Sequence, residues 1–140
     1  MKTKFDSRVR IDDGVQDCLF CEILQTRQRE IVAENDLFLA FPDNFPVNPG
    51  HSLIVPKRHV TRLADLSPIE WKGLAEILIA LQAKLNEELS PSGFNYGVNE
   101  GEAAGQTIPH LHLHVIPRFW GDVAEPRGGI RNFKKAIVAY

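Results

Sequence analysis

Three of the five histidines in this 140-residue chain fall within the run Pro109-His110-Leu111-His112-Leu113-His114-Val115-Ile116-Pro117. Alternation with aliphatic residues is the period of a half-buried β-strand, in which side chains two apart share a face. The pattern predicts a strand over His110 to Ile116, with three imidazoles side by side and Leu111, Leu113 and Val115 turned into a core. Imidazole titrates near neutral pH and can act as nucleophile, proton donor or metal ligand. Two chemistries therefore compete. One is a catalytic zinc held by ring nitrogens. The other is phosphoryl chemistry, in which one imidazole attacks while its neighbours orient it or donate protons. The loop just upstream favours the second. Asn99, Gly101, Gly105, Gln106 and Thr107 supply amide, hydroxyl and flexible backbone donors suited to cradling phosphate oxygens.

A second group with chemistry is Cys18 and Cys21, the only two cysteines, spaced Cys-x-x-Cys. In a reducing compartment this spacing favours metal ligation or redox work over a structural disulfide. A thioredoxin-like pair would follow a strand, whereas Asp12-Asp13-Gly14-Val15-Gln16-Asp17 reads as a polar loop. Zinc would need two further ligands from elsewhere in the chain.

The elements that must position these residues are legible in outline. Cys18 to about Gln25 reads as a knuckle and a short helix. Ile31 to Glu34 and Leu37 to Phe41 are apolar runs split by Asn35-Asp36, a hairpin signal. After the loop Phe45-Pro46-Val47-Asn48-Pro49-Gly50, a strand runs from His51 to Pro56. The clearest helix spans Pro68 to Leu89, with Ser67 as N-cap, Pro68 at the first position and Glu70 completing a capping box. Leu74, Leu78, Leu81 and Leu85 form its buried stripe. Ser90-Pro91-Ser92-Gly93 ends it, and Phe94 to Asn99 reads as another strand. Helices and strands do not alternate regularly, which favours an α+β fold, an antiparallel sheet with one main helix, over a doubly wound one.

Length fits one domain over residues 1–140: an N-terminal arm (1–17), a core (18–118) and a C-terminal tail (119–140). A formal net charge of -2 argues against a general nucleic-acid surface, which carries a basic excess, but leaves room for a small nucleotide. No apolar run approaches the ~20 residues of a membrane-spanning helix. The opening residues lack the apolar stretch of a secretory signal, so the expected compartment is the cytoplasm, with no membrane partner.

The run Gly105-Gln106-Thr107-Ile108-Pro109-His110-Leu111-His112-Leu113-His114-Val115-Ile116 resembles the signature of the histidine triad family, His-φ-His-φ-His-φ-φ with φ apolar. Asn48-Pro49-Gly50-His51-Ser52-Leu53-Ile54-Val55-Pro56-Lys57-Arg58-His59 is similar to that family's second landmark, and the likeness covers about Cys18 to Arg118. The resemblance implies a five-stranded antiparallel sheet with helices, a homodimer, and hydrolysis or transfer of nucleotidyl groups by attack at the α-phosphorus. It implies His112 as the nucleophile, its second ring nitrogen held by a backbone carbonyl. His114 would face the phosphate and steady charge there, and His51 would support the cluster. Asn99, Gln106 and Thr107 match phosphate and leaving-group contacts, and Asp43 matches a carboxylate that accepts from ribose hydroxyls. Phe20, Ile23 and Phe41 fall where the family lines its base pocket, although core packing would use the same residue types. A subset of the family also binds zinc at the positions of Cys18, Cys21, His59 and His110. The implied cofactor is one structural zinc per chain, with no organic cofactor.

Arg118, Gly121-Asp122 and Pro126-Arg127-Gly128-Gly129-Ile130-Arg131 resemble the tail of members related to dinucleoside polyphosphate hydrolases. Arg118, Arg127 and Arg131 would then reach a polyphosphate, or else be ordinary solvated charges. The expected substrate is a small nucleotide, foremost a dinucleoside polyphosphate. A nucleoside phosphoramidase is the alternative within that chemistry, and a nucleotide-binding scaffold with incidental catalysis the alternative outside it.

Overall fold

Asn35 turns the first hairpin by accepting at Oδ1 from the backbone N–H groups of Leu37 and Phe38, at 3.0 and 2.8 Å. Around it, the computed structural model describes residues 17–132. Most of the expected N-terminal arm (residues 1–16) and the end of the expected tail (residues 133–140) lie outside the described residues. The elements are α1 (Leu19–Thr26), β1 (Ala33–Glu34), β2 (Phe38–Pro42), β3 (Ser52–Pro56), α2 (Pro68–Leu89), β4 (Gly93–Val98) and β5 (Leu113–Arg118). Single 3-10 turns lie at Leu63–Asp65, Glu102–Ala104 and Gly129–Arg131. The five strands form one antiparallel sheet in the order β1-β2-β3-β5-β4, the expected α+β architecture.

Helix α2 begins and ends where its local chemistry dictates. Ser67 accepts from the Glu70 N–H while Glu70 accepts from the Ser67 N–H, satisfying two otherwise orphaned donors. Its buried stripe is Leu74, Ile77, Leu81 and Leu85. Leu78 is only half-buried because Ile77, one residue earlier on the helical spiral, points more directly at the sheet. Burying a leucine or isoleucine in this way contributes about 1.5–3 kcal/mol.

Directly opposed residues in an antiparallel ladder share a face. The registers Phe41↔Leu53, Leu53↔His114 and Gly97↔His114 therefore collect Leu39, Phe41, Leu53, Val55, His114 and Gly97 on one side. Ala40, Ile54, Leu113 and Val98 lie on the other. Helix α2 packs on that second face, against Phe38, Ala40, Ile54, Leu111 and Val115. Helix α1 covers part of the first, setting Phe20 and Ile23 against Leu39, Phe41, Leu53 and Val55.

The strand expected over His110 to Ile116 is shorter at its start and longer at its end. It runs Leu113–Arg118, and its pairing with β3 spans Ile54↔Leu113 to Ser52↔Val115. The reason lies in Pro56, which has no N–H to give to a ladder. Its carbonyl instead lies 2.8 Å from His110 Nε2, and the Leu111 N–H donates to Val60 at 2.7 Å. His110 to His112 thus leave the sheet while keeping the alternation: Leu111 joins the α2 core, and the imidazoles stay on the α1 side.

Candidate active site

The histidines are far more buried than a polar strand face would be, with His110 0% and His112 6% exposed. The Phe20 ring sits against both, with centroids 5.8 Å from His110 and 5.1 Å from His112. At the heart of the site, His112 Nδ1 lies 2.8 Å from the carbonyl oxygen of His110. A carbonyl can only accept, so Nδ1 carries the hydrogen and Nε2 keeps a free lone pair. Burial, only partly opposed by that bond, holds the His112 pKa below the ordinary imidazole value. The ring is therefore neutral near pH 7.

Beside it stands a second group, Asp43, His51 and His114. His51 Nδ1 accepts from the Val47 N–H at 3.1 Å, so the hydrogen of neutral His51 is on Nε2. That Nε2 faces His114 Nδ1 at 2.9 Å and Asp43 Oδ2 at 3.3 Å. The arrangement suits a chain of donors better than a metal, since a ring whose Nδ1 accepts has no lone pair to offer at Nε2. His114 is pushed down to about 4 by burial first, then by the neighbouring His112 and His51 rings, with Asp43 opposing. Asp43 Oδ1 accepts from the Phe45 N–H at 2.8 Å, which fixes the carboxylate in its loop.

The third group is Cys18, Cys21, His59 and His110, whose potential ligand atoms all lie within 4.8 Å of one another. Cys18 is the N-cap of α1, accepting from the Cys21 N–H, so the helix start sets the spacing of the sulfurs. His59 Nδ1 is 3.1 Å from His110 Nδ1, and three sulfur–nitrogen separations are 3.4–3.5 Å. A tetrahedral zinc with ordinary bond lengths would set these at about 3.3 and about 3.6 Å. The donor set fits the ion. His110 Nε2 bonds to the Pro56 carbonyl, which turns its Nδ1 lone pair towards the cluster. His59 lacks a matching support, because its Nε2 is buried and unbonded. The Cys21 thiol is pushed down, first by the bond from Cys18 and then by the two imidazoles, so a thiolate is favoured there.

Other expected site residues sit differently. Gln106 stitches its own loop, accepting from the Gly101 N–H at 2.8 Å and donating to the Thr61 carbonyl at 3.3 Å. Asn99 and Thr107 are exposed in the same loop. Phe20, Ile23 and Phe41 are all buried, packed as core, with the Arg29 guanidinium 4.9 Å above the Phe41 ring. Arg118 is not free to meet a polyphosphate. Asp122 takes its Nε and Nη2 at 2.8 Å each, and Nη1 donates to Asn95. Asp122 also accepts from Asn48 at 2.7 Å, which pins the loop bearing Asp43 to the end of β5. Val47, Pro56 and Arg29 act through backbone groups or a cation–π contact, and no side-chain motif marks such roles in a sequence.

Comparison with known proteins gives a consistent picture. Residues 25–121 match the model of the HIT domain family. The chain is 38% identical over 96 residues to a bis(5'-nucleosyl)-tetraphosphatase (asymmetrical) of Schizosaccharomyces pombe, covering 69% of this chain and 53% of that one. It is 39% identical over 106 residues to an AP-4-A phosphorylase of Mycobacterium tuberculosis, covering 74% and 54%. The chain thus spans about half the length of these two relatives. Among solved structures, a zinc-bound histidine triad family protein from Mycobacterium smegmatis superposes with a TM-score of 0.70 at 35% identity, over 78% of this chain and 80% of that one.

Proposed function

This chain belongs to the HIT domain family of nucleotide hydrolases and transferases, and on that premise we propose that it cleaves a dinucleoside polyphosphate through a covalent nucleotidyl-His112 intermediate. The observation that carries the reading is the bond from His112 Nδ1–H to the His110 carbonyl. It leaves the Nε2 lone pair to attack the α-phosphorus. A bond forms from Nε2 to phosphorus, the bond from phosphorus to the leaving oxygen breaks, and the polyphosphate portion departs with those electrons. Water or another acceptor then attacks the same phosphorus, its proton passing to solvent or to the departed phosphate oxygen, while the bond from Nε2 to phosphorus breaks and returns its electron pair to Nε2. Splitting one displacement into two lowers each barrier.

His51 and His114 act as a donor chain. With His51 Nε2–H directed to His114 Nδ1, neutral His114 carries its hydrogen on Nε2 and presents it to a phosphate oxygen. Asp43 holds compensating charge beside them and receives the ribose hydroxyls, while Asn99, Gln106 and Thr107 meet the phosphate chain once the loop engages substrate. Cys18, Cys21, His59 and His110 would hold a structural zinc, which would supply rigidity to the segment that carries His112.

Replacing His112 by Ala is expected to lower turnover on the order of 10³-fold or more, with the circular dichroism spectrum unchanged. Rapid quenching of the native enzyme should yield a nucleotidyl adduct on the peptide that contains His112. Full activity of His112→Ala on every accepted substrate would overturn the mechanism. Comparing a dinucleoside polyphosphate with an adenosine phosphoramidate then assigns the leaving group.

A further inference from the structure

The histidine face of the sheet continues beyond the histidines. On β5, Ile116 and Arg118 follow His114 on the same side, and the opposed residues of β4 are Gly97, Asn95 and Gly93. A Cβ placed on Gly97 or Gly93 would meet nothing within 4 Å, so only Ile116 and Asn95 rise from this face between His114 and Arg118, with Gly129 close to Asn95. Arg118 lies four residues from His114, about 13 Å along the strand at ~3.3 Å per residue. There the chain folds back over β4, and a cavity of about 420 Å³ opens between Gly93, Asn95 and the segment that follows Arg118. This volume lies within the ~300–1,000 Å³ range of small-molecule sites.

The chemistry of the lining selects the ligand. Its two charged residues, Arg118 and Asp122, neutralise each other through two parallel bonds. A phosphate would find no unpaired cation there. Phe119, Trp120, Val123 and Pro126 make most of the remaining wall apolar or aromatic, and Ser92 and Asn95 add polar edges. Trp120 is 88% exposed, so its indole face is open to a partner. A flat, neutral, heteroaromatic group with a polar rim fits such a wall.

We propose that this cavity is the subsite for the second nucleoside of a dinucleoside polyphosphate, the end that departs with the leaving group. The inference rests on the nucleotidyl-transfer reading of His112 and extends it. Polyphosphate runs from His112 over Gly97 and past Ile116 towards the cavity, and the distal base stacks on Trp120.

Binding to the full chain tests this separately from catalysis. In a His112→Asn background, so that ligand is not consumed, titration calorimetry compares diadenosine tetraphosphate with adenosine tetraphosphate, which lacks only the distal nucleoside. Trp120→Ala should weaken diadenosine tetraphosphate by about 5- to 150-fold, the factor that ~1–3 kcal/mol of base stacking represents. Adenosine tetraphosphate binding should be unchanged in that variant. Equal weakening of the two ligands, no weakening of either, or a change in oligomeric mass with equal losses would overturn the subsite. Should the native enzyme turn over neither compound while the binding difference persists, the subsite stands and the nucleotidyl-transfer reading falls.

Discussion

At His110 one residue serves two groups. Its main-chain carbonyl fixes the tautomer of His112, and its ring offers Nδ1 to the Cys18–Cys21–His59 cluster. The Cys/His cluster and the His112 ring are therefore coupled through a single residue. Elemental analysis of reduced protein prepared without chelator is expected to find about one zinc per chain. A chelator that removes it should lower Tm and turnover together, with both restored by added zinc; finding no metal removes the assignment. The histidine pKa values carry a further consequence. His51 is held low by burial, and His114 to about 4. The unfolded chain, titrating near 6.5, therefore binds protons that the folded one refuses. Their contribution is intact above pH 6.5 and lost as pH falls from there towards 4. Denaturant midpoints between pH 7.5 and 4.5 should drop accordingly, and His114→Gln should flatten part of that drop. An unchanged slope in that variant would refute the assignment to His114.

Among the elements, the loop from β2 to β3 matters most, because it carries Asp43 and delivers His51. Three devices hold it: the Asp43 turn at Phe45, Asn48 bonded to Pro117 and Asp122, and Gly50. Gly50 has φ +82°, and a Cβ there would approach Leu89 Cδ1 at 2.6 Å and Leu85 Cδ2 at 3.0 Å. Only glycine accepts both the backbone and the close packing against α2. Gly50→Ala is expected to cost at least about 1–2 kcal/mol from the backbone alone, measured by urea denaturation, with displaced packing adding to it. A loss below a few tenths would show that the loop tolerates a side chain. The hairpin at Asn35, the capping box of α2 and the Cys18 cap of α1 are local devices, and local devices are readable from residue types. The early end of the β3–β5 ladder is not. It depends on Pro56 of one strand meeting His110 of another, a pairing no local pattern records.

For the whole molecule, β4 lies at the edge of the sheet, with six residues whose outer side has no neighbouring strand among the described residues. An exposed edge of that length is a template for another chain. We expect the family's homodimer to use it, and light scattering should give twice the chain mass; a monomer at micromolar concentration would refute the expectation. No helix of the described residues is long and apolar enough to cross a membrane. By themselves, the residues determined the alternation that puts three imidazoles on one side and the helix that covers the other. They also pointed, through motif resemblance, to the group Cys18, Cys21, His59 and His110, whose potential ligand atoms lie together. These follow from period, capping chemistry and residue type, which act over a few positions. Tertiary structure alone decided that His110 links the Cys/His cluster to His112, that Val47 sets the His51 tautomer, and that Asp122 neutralises Arg118. It also decided that the face bearing His114 and Gly97 continues past Ile116 and Asn95 to a cavity beside Trp120. Each depends on a backbone group, a register or a pairing between distant segments, and such contacts exist only once the sheet has closed.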